Sequence, residues 1–452
     1  MSEGKRSEDA AKEPTAGGAP VSAALDRYFG LSAAGSNVAT EFRAGVATFL
    51  TMAYIMFVNP AILEAAGMNH GAVFVATCLA AAVGSLLMGL WANYPIAMAP
   101  GMGLNAYFAF TMVPELQGNW QLALGCVFVS GVLFFLISLS PLRVWLIDAI
   151  PMSLKLGIAA GIGFFLALIA LQNAGVVAAD PSTLVTLGDL SQPQAWLAAA
   201  GFLLIGGLAV RKVPGAIIIG VLAVTLAAVA FGLEPWHGVA ARPPSLAPTF
   251  LQMDVAGVFQ LGLVTMVLTL LLVTMLDTAG TLIGVARQAG LLDAEGRLPR
   301  ARQAFLADSG GAMLGAALGT STATAYIESA AGVEEGGRTG LTAVFVAGLF
   351  LLALFLAPLA QTVPLYATAP ALLFVAFLMA ASLGALRFDD PTDYVPALVI
   401  VLMMPLSYSI ATGIGLGFIA YAALKLMAGR VREINAAVAV IALAFLLKLI
   451  FA

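Results

Sequence analysis

Charge is scarce in this chain. Of 452 residues only 10% are Asp, Glu, Lys or Arg, against 61% hydrophobic, where soluble domains carry roughly 25% charged residues. A globule of this length cannot cover a water-facing surface with so little charge. That excludes a soluble enzyme and a nucleic-acid binder and leaves a polytopic membrane protein. The net charge of −4 and the absence of a concentrated basic patch give no case for an acidic partner. Cysteine and histidine are equally rare. Cys78 and Cys126 both fall in apolar segments, so packing is expected of them and not a disulfide framework. His70 and His237 sit near segment ends, and no metal cluster can be assembled from His and Cys. No Gly-rich phosphate loop, nucleophile elbow or Ser/His/Asp set is present, so neither an enzyme nor an organic cofactor is expected.

Glycine (47) and proline (22) are abundant instead, too much so for a plain bundle of rigid spans, and broken helices are a use for them. Residues 1–43 hold five basic and six acidic residues and no apolar run. The stretch 1–40 therefore reads as a disordered cytoplasmic tail and not as a cleavable signal. Beyond it, runs of about 20 apolar residues predict spans at 43–66, 70–92, 94–113, 119–140, 150–172, 194–210 and 214–233. A second set follows at 257–286, 302–318, 320–334, 339–360, 367–386, 394–427 and 434–451. The count is fourteen if 394–427 is one broken unit and fifteen if Pro405 and Gly413 to Gly417 separate two crossings. Basic residues near Arg143, Arg211–Lys212, Arg287 to Arg302 and Arg387 mark cytoplasmic joins, with the amino terminus inside. The cluster Lys425, Arg430 and Arg432 fits fourteen spans poorly.

An internal offset is also visible. Asn59-Pro60 matches Asp277-Thr278, "NAYF" (105–108) matches "TAYI" (324–327), Pro151 matches Pro370, and the 210–214 segment matches 431–435, all near +219. A repeat of seven spans is odd in number, so its two copies insert with opposite orientation, the inverted-repeat plan of many transporters. At equivalent places the third segment (Pro95 to Tyr107, with Pro100, Gly101 and Gly103) and the tenth (Gly319 to Gly332) cannot run easily as full helices. Irregular backbone at that depth must pair internally or line a polar cavity. Two half-helix amino termini then aim at one site.

Three carboxylates, Asp277, Asp308 and Glu328, lie deep in apolar segments, and no Lys or Arg lies at comparable depth. Each costs at least ~2.5–3.5 kcal/mol to insert, so a function is expected. For Asp308, bracing neighbouring Thr or backbone groups is an equal alternative. Buried acids without a buried base suit a substrate that offers N–H donors, with a proton or cation, and do not suit an anion. Tyr107, Phe108 and Tyr326 are candidates to sandwich a planar ring. Thr320, Ser321, Thr322, Thr324 and Ser329 offer hydroxyls beside Ala325.

The segments "TEFRAGVATFLTMAYIMFVNPAIL" (40–63), "APGMGLNAYFAF" (99–110), "DTAGTLIGVARQAGLLD" (277–293), "ADSGG" (307–311) and "GTSTATAYIESAAGVEEGGRTGLTAV" (319–344) resemble the nucleobase–cation symporters, specifically the AzgA-like purine permeases. The resemblance runs from about residue 35 to the end. It implies an all-α membrane fold of fourteen segments in two inverted sevens, with short strands in broken segments 3 and 10. A core domain would take 41–140 and 257–360, and a gate domain 141–233 and 361–452. It further implies proton-coupled import of adenine, guanine or hypoxanthine through the inner membrane by elevator-like or rocking alternating access, often by dimers. Position by position, Glu328 corresponds to the purine-binding carboxylate, Asn105 to a substrate-contacting amide, Asp277 to an important acid in span 8, and Asp308 to a structural or coupling acid. Some relatives carry an acid where this chain has Thr274, which moves the proton-carrying role to Glu328 or Asp277. In that reading an aromatic ring stacks on the purine while Asn105 and the half-helix N–H groups meet its ring acceptors. Carriers of uracil, xanthine or an anion on the same fold, and a channel, are the alternatives.

Overall fold

A computed structural model describes residues 20–140, 149–260, 263–293 and 297–451. Asn and Ser side chains punctuate the chain where spans begin. Asn37 accepts from Thr40 N at 3.0 Å to start α2 (Val38–Met52), which continues as α3 (Ile55–Glu64). Asn69 accepts from Ala72 N at 2.9 Å to start α4 (His70–Leu87), and Asn119 accepts from Leu122 N at 3.0 Å to start α6 (Trp120–Leu139). Each such cap satisfies an otherwise orphaned amide at a helix end. Nine helices among the described residues are long and apolar enough to cross a membrane, and three shorter apolar ones accompany them.

The third and tenth segments are broken, as expected. Strand β1 (Met98–Pro100) leads into α5 (Met102–Tyr107), and strand β4 (Ala323–Ala325) leads into α12 (Ser329–Glu334). The two strands pair antiparallel, with Ala99 opposite Thr324. Gly101 N donates to Thr322 O at 2.9 Å and Tyr326 N to Ala97 O at 3.0 Å, which extends the pairing at both ends. The extended backbone therefore finds its partners within the protein. The strands lie between α4 and α11 (Ala301–Leu318). Gly311 permits this closeness, because a Cβ there would collide with the Met98 side chain.

Two groups of helices pack around this pair. In one, α4 and α2 pack on α13 (Gly340–Ala353), and α6 packs on α11 and on α10 (Val264–Gln288). In the other, α7 (Met152–Asn173) packs on α14 (Leu365–Ala380) and on α15 (Pro391–Leu406), and α8 (Pro193–Val210) packs on α9 (Ala216–Ala230). A hairpin of β2 (Val177–Asp180) and β3 (Leu184–Leu187), not foreseen from sequence, follows α7.

Several expectations are corrected. The disordered tail expected over 1–40 is helical from Pro20 to Phe29 (α1). Phe29 and Leu31 are buried against Leu341, and Asn93 Nδ2 donates to Phe29 O at 2.9 Å. Residues 1–19 of that tail lie outside the described residues. The stretch 394–427 is two helices, α15 and α16 (Ile410–Met427), joined by a turn at 407–409 in which Tyr408 has φ 53°. The stretch expected as one broken unit is thus two separate helices, and a further apolar helix (Ala436–Phe451) follows them. The same hairpin removes the difficulty with the basic cluster. Lys425, at the end of α16, reaches Asp393 at 3.1 Å and Glu433 at 2.5 Å. Arg430 pairs with Asp390, which caps the start of α15. Lys425 and Arg430 thus return to the side that holds Arg387. The repeat also differs in detail. Residues 105–108 lie in helix after β1, whereas Thr324 and Ala325 are in β4. Pro151 caps α7, whereas Pro370 lies inside α14. The pairs aligned near +219 are therefore not equivalent residues, although the broken segments that contain two of them are equivalent elements.

Candidate functional site

Where β1 and β4 meet, each strand hands over to a helix that has no side-chain cap. Gly101 precedes α5 and Glu328 precedes α12. Uncapped amides at helix starts carry a partial positive charge. Glu328 sits at the second of these starts and is only half-buried. Its Oε1 accepts from the Tyr54 hydroxyl at 2.7 Å, and its backbone carbonyl accepts from Thr51 Oγ1 at 3.3 Å. Asp277, on α10, is also half-buried and makes no hydrogen bond among the described residues. The helix that carries Asp277, α10, packs against α12, which Glu328 opens. Neither carboxylate has a Lys or Arg partner among the described residues, whose ion pairs lie elsewhere.

Asp308 is different. It is fully buried, and its oxygens accept from Thr278 Oγ1 at 2.5 Å, Thr324 Oγ1 at 3.2 Å and Ala325 N at 2.7 Å. It fastens α10 and β4 to α11, which is the bracing alternative. Asn105 is likewise fully buried. Its Oδ1 accepts from Ser321 Oγ, and its Nδ2 lies 3.5 Å from Pro100 O. The amide thus ties the two broken segments together and leaves Nδ2 weakly engaged. Tyr326 donates to Pro100 O at 2.5 Å, and Ser329 Oγ accepts from Ala97 N at 3.0 Å. Ala325 is spent on strand pairing and on Asp308. Tyr107 and Phe108 are sealed within the apolar core.

Two of the expected positions take more specific meanings. Thr274, 2% exposed, lies one turn before Thr278 and its hydroxyl has no partner. A buried unpaired hydroxyl costs about 1–3 kcal/mol, so its presence asks for a ligand or a reason. At Gly103 the two groups of helices touch closely. A Cβ there would lie 2.5 Å from Cγ2 of Ile162 on α7. Close approach of this kind lets one packed surface run over another.

Sequence reasoning missed Tyr54, Asn59 and Ser85. Asn59 Nδ2 donates to Thr77 at 2.7 Å and to Thr320 at 2.8 Å, and Ser85 Oγ accepts from Met98 N at 2.9 Å. All three are polar groups in apolar runs, and such runs were searched for charge alone. It also passed over Glu41, fully buried, which accepts from Arg338 N at 3.1 Å and from Thr342 Oγ1 at 2.5 Å.

A family model described as the permease family matches residues 39–416. The chain belongs to that family. It is a multi-pass membrane transporter and not an enzyme, and the motifs at 99–110 and 319–344 place it as they implied. It is 46% identical over 427 residues to the adenine permease AdeP of Escherichia coli, covering 94% of this chain and 96% of that protein. It is 44% identical over 439 residues to the guanine/hypoxanthine permease PbuG of Bacillus subtilis, covering 94% and 100%. Among solved structures, the transmembrane domain of the cyanobacterial bicarbonate transporter BicA matches with a TM-score of 0.63 at 17% identity, over 82% of this chain and 96% of that one. That likeness concerns the fold.

Proposed function

We propose that this permease carries purine nucleobases across the membrane together with protons. The observation that carries the reading is Glu328: half-buried, held by Tyr54, on a segment packed against the helix of Asp277 and without a basic partner among the described residues, where two interrupted helices meet. Such a site presents acceptors to ring N–H groups and, among the described residues, pairs no Lys or Arg with them that would favour an anion. In this reading the uncapped amides of α5 and the weakly engaged Nδ2 of Asn105 meet the ring acceptors. Relatives named as adenine and as guanine/hypoxanthine permeases support the substrate class.

Desolvation favours the neutral form of a carboxyl group, and neighbouring carboxyls without a cation are the cheapest place to hold a proton at bilayer depth. Proton and purine together neutralise the site and release one helix group to move against the other. The group built on spans 1–4 and 8–11 acts as the core and the other as the gate, with Gly103 and Ile162 at the sliding contact. The side carrying Arg211, Lys212, Arg387 and Lys425 is cytoplasmic, and the amino terminus with it.

Uptake of labelled adenine, guanine, hypoxanthine, xanthine and uracil into proteoliposomes, with and without a protonophore, tests the reading. Accumulation of a purine that collapses with the gradient is the expected result. Flux indifferent to the gradient points to a channel, and preference for xanthine or uracil moves the chain to another substrate class. Glu328→Gln is expected to abolish accumulation.

A further inference from the structure

A cavity lies away from the broken segments, at the far end of α7. It has a volume of about 460 Å³, within the about 300–1,000 Å³ range of small-molecule sites. Four amide side chains line it, Gln172, Asn173, Gln192 and Gln194, together with Asp189 and Tyr366, and no Lys or Arg does. Gln172 is ten residues beyond Ile162 on the same helix, about 15 Å along its axis. The β2–β3 hairpin closes one wall. Its position is fixed, since Gly188 N donates to Val176 O at 2.8 Å and a side chain at Gly188 would strike the Gly175 carbonyl.

The donor and acceptor inventory is specific. Gln192 Nε2 is committed to Asp189 Oδ2 at 2.8 Å, and Gln172 Oε1 accepts from Tyr408 OH at 2.8 Å. The Nε2 group of Gln172 and the amides of Asn173 and Gln194 have no hydrogen bond among the described residues. Each free amide presents a donor and an acceptor side by side, the arrangement that pairs with the edge of a purine ring. Tyr366 donates to Glu234 Oε1 at 3.1 Å, which fixes its ring at the cavity wall. Asp189 keeps the cavity negative. The Ser191 hydroxyl, the Gln192 amide and the Ser191 N–H together hold its carboxyl below the usual range. An anion is repelled and a neutral base rich in N–H groups is welcome.

The cavity also connects to the moving parts. Tyr408, which holds Gln172, packs edge-on against Phe165 at 5.4 Å and Phe110 at 6.4 Å. Its backbone carbonyl accepts from Thr111 Oγ1 at 3.0 Å, on the helix that continues α5. One residue therefore spans from the cavity to the broken third segment.

We infer that this amide-lined cavity is a second nucleobase site, a capture vestibule through which a neutral purine passes before it reaches Glu328. The inference rests on the purine reading above. The basic joins put the vestibule on the side opposite Arg211 and Lys212, where an imported base arrives.

The test uses the full chain with Asn173→Cys, whose thiol is distinguishable because Cys78 and Cys126 are buried. Labelling by a charged maleimide is expected to slow about fivefold when hypoxanthine or adenine is present at about four times its dissociation constant, because only the empty vestibule reacts. The same protection is expected in a Glu328→Gln background, where the central site is disabled. In uptake, Asn173→Ala with Gln194→Ala is expected to raise KM about fivefold while the maximal rate stays within about twofold. If the wild type accumulates a purine but neither labelling nor KM responds, the vestibule is overturned and the transport reading stands. Protection that vanishes with Glu328→Gln overturns it equally. If the wild type accumulates no purine, both fall together.

Discussion

The hydroxyl of Tyr54 donates to Oε1 of Glu328 at 2.7 Å, across 274 residues of sequence. It joins the end of the first helix to the start of the tenth segment's half-helix, and it is the side-chain hydrogen bond that the proposed substrate carboxylate makes within the protein. A donor in that place orients one oxygen and leaves the other for a ligand.

Tyr54→Phe removes this donor. A hydrogen bond to a charged group contributes about 1.5–3 kcal/mol, so purine uptake should fall roughly ten- to a hundredfold. Because Tyr54 acts through Glu328, adding Tyr54→Phe to Glu328→Gln should cost nothing more in residual binding. Losses that add in full would give Tyr54 a separate task.

Asp308→Ala strands Ala325 N and leaves the hydroxyls of Thr278 and Thr324 only each other as partners. Each buried orphan costs about 1–3 kcal/mol, so the purified variant should melt several degrees lower than wild type, and lower than Asp277→Ala. Asp308→Asn, which keeps one acceptor, should fall between. A variant that melts normally yet fails to accumulate substrate would make Asp308 a coupling group.

Thr274→Val deletes a buried hydroxyl that has no protein partner. Its melting temperature should not fall, because nothing in the protein loses a hydrogen bond. If the hydroxyl meets the ligand, KM should rise about fivefold. An unchanged KM with a raised melting temperature would leave Thr274 as an unpaired group and nothing more.

Gly103→Ala drives a methyl group into Ile162. Transport should slow sharply while purine binding to the resting protein changes little, since the contact lies between the helix groups. Adding Ile162→Ala reopens the space and should restore much of the rate. Failure of that rescue in a vesicle uptake assay would place the defect in the site and not at the contact.

Asp390 offers a pH test away from the membrane-embedded site. The Thr392 hydroxyl, the Thr392 amide and Arg430 together hold its carboxyl at about 2. A depressed carboxyl stabilises the fold above its unfolded value of about 3.9 and loses that contribution as pH falls through the folded value. Wild type should therefore out-melt Asp390→Asn at pH 6, with the gap shrinking below about pH 4 and closing near pH 2. A gap independent of pH would assign the effect to the helix cap and not to charge.

How far these features could be read beforehand depended on what signal each one carries. Asp277 and Glu328 stood out because a carboxylate in an apolar run is expensive wherever it occurs. Tyr54 and Asn59 carry no such penalty until their partners are known, and Asn59 finds Thr320 some 261 residues away. The interrupted segments were legible from Pro100, Gly101 and Gly319, since these residues break helices regardless of context. The register between the repeats was not. Ala, Gly and Pro recur too often here to fix an offset, and strand pairing, not residue identity, sets which positions correspond. Helix α1 escaped notice because its burial rests on a few residues, Phe29 and Leu31, against Leu341, in a stretch otherwise rich in charge. The turn at Tyr408 was hidden by the hydrophobicity of both its arms.

The pairing of Ala99 with Thr324 fixes an order of events during synthesis. When the ribosome has made the first half, Ser85 can already serve the Met98 backbone, but Ala99 and Gly101 N have no strand to pair with. They must wait until residue 325 emerges. Such a gap leaves a half-made chain with open polar backbone in lipid, an expensive state that invites insertion factors or proteases. Neither half can complete the strand pair alone, and the proposed substrate site waits for the second half of the chain.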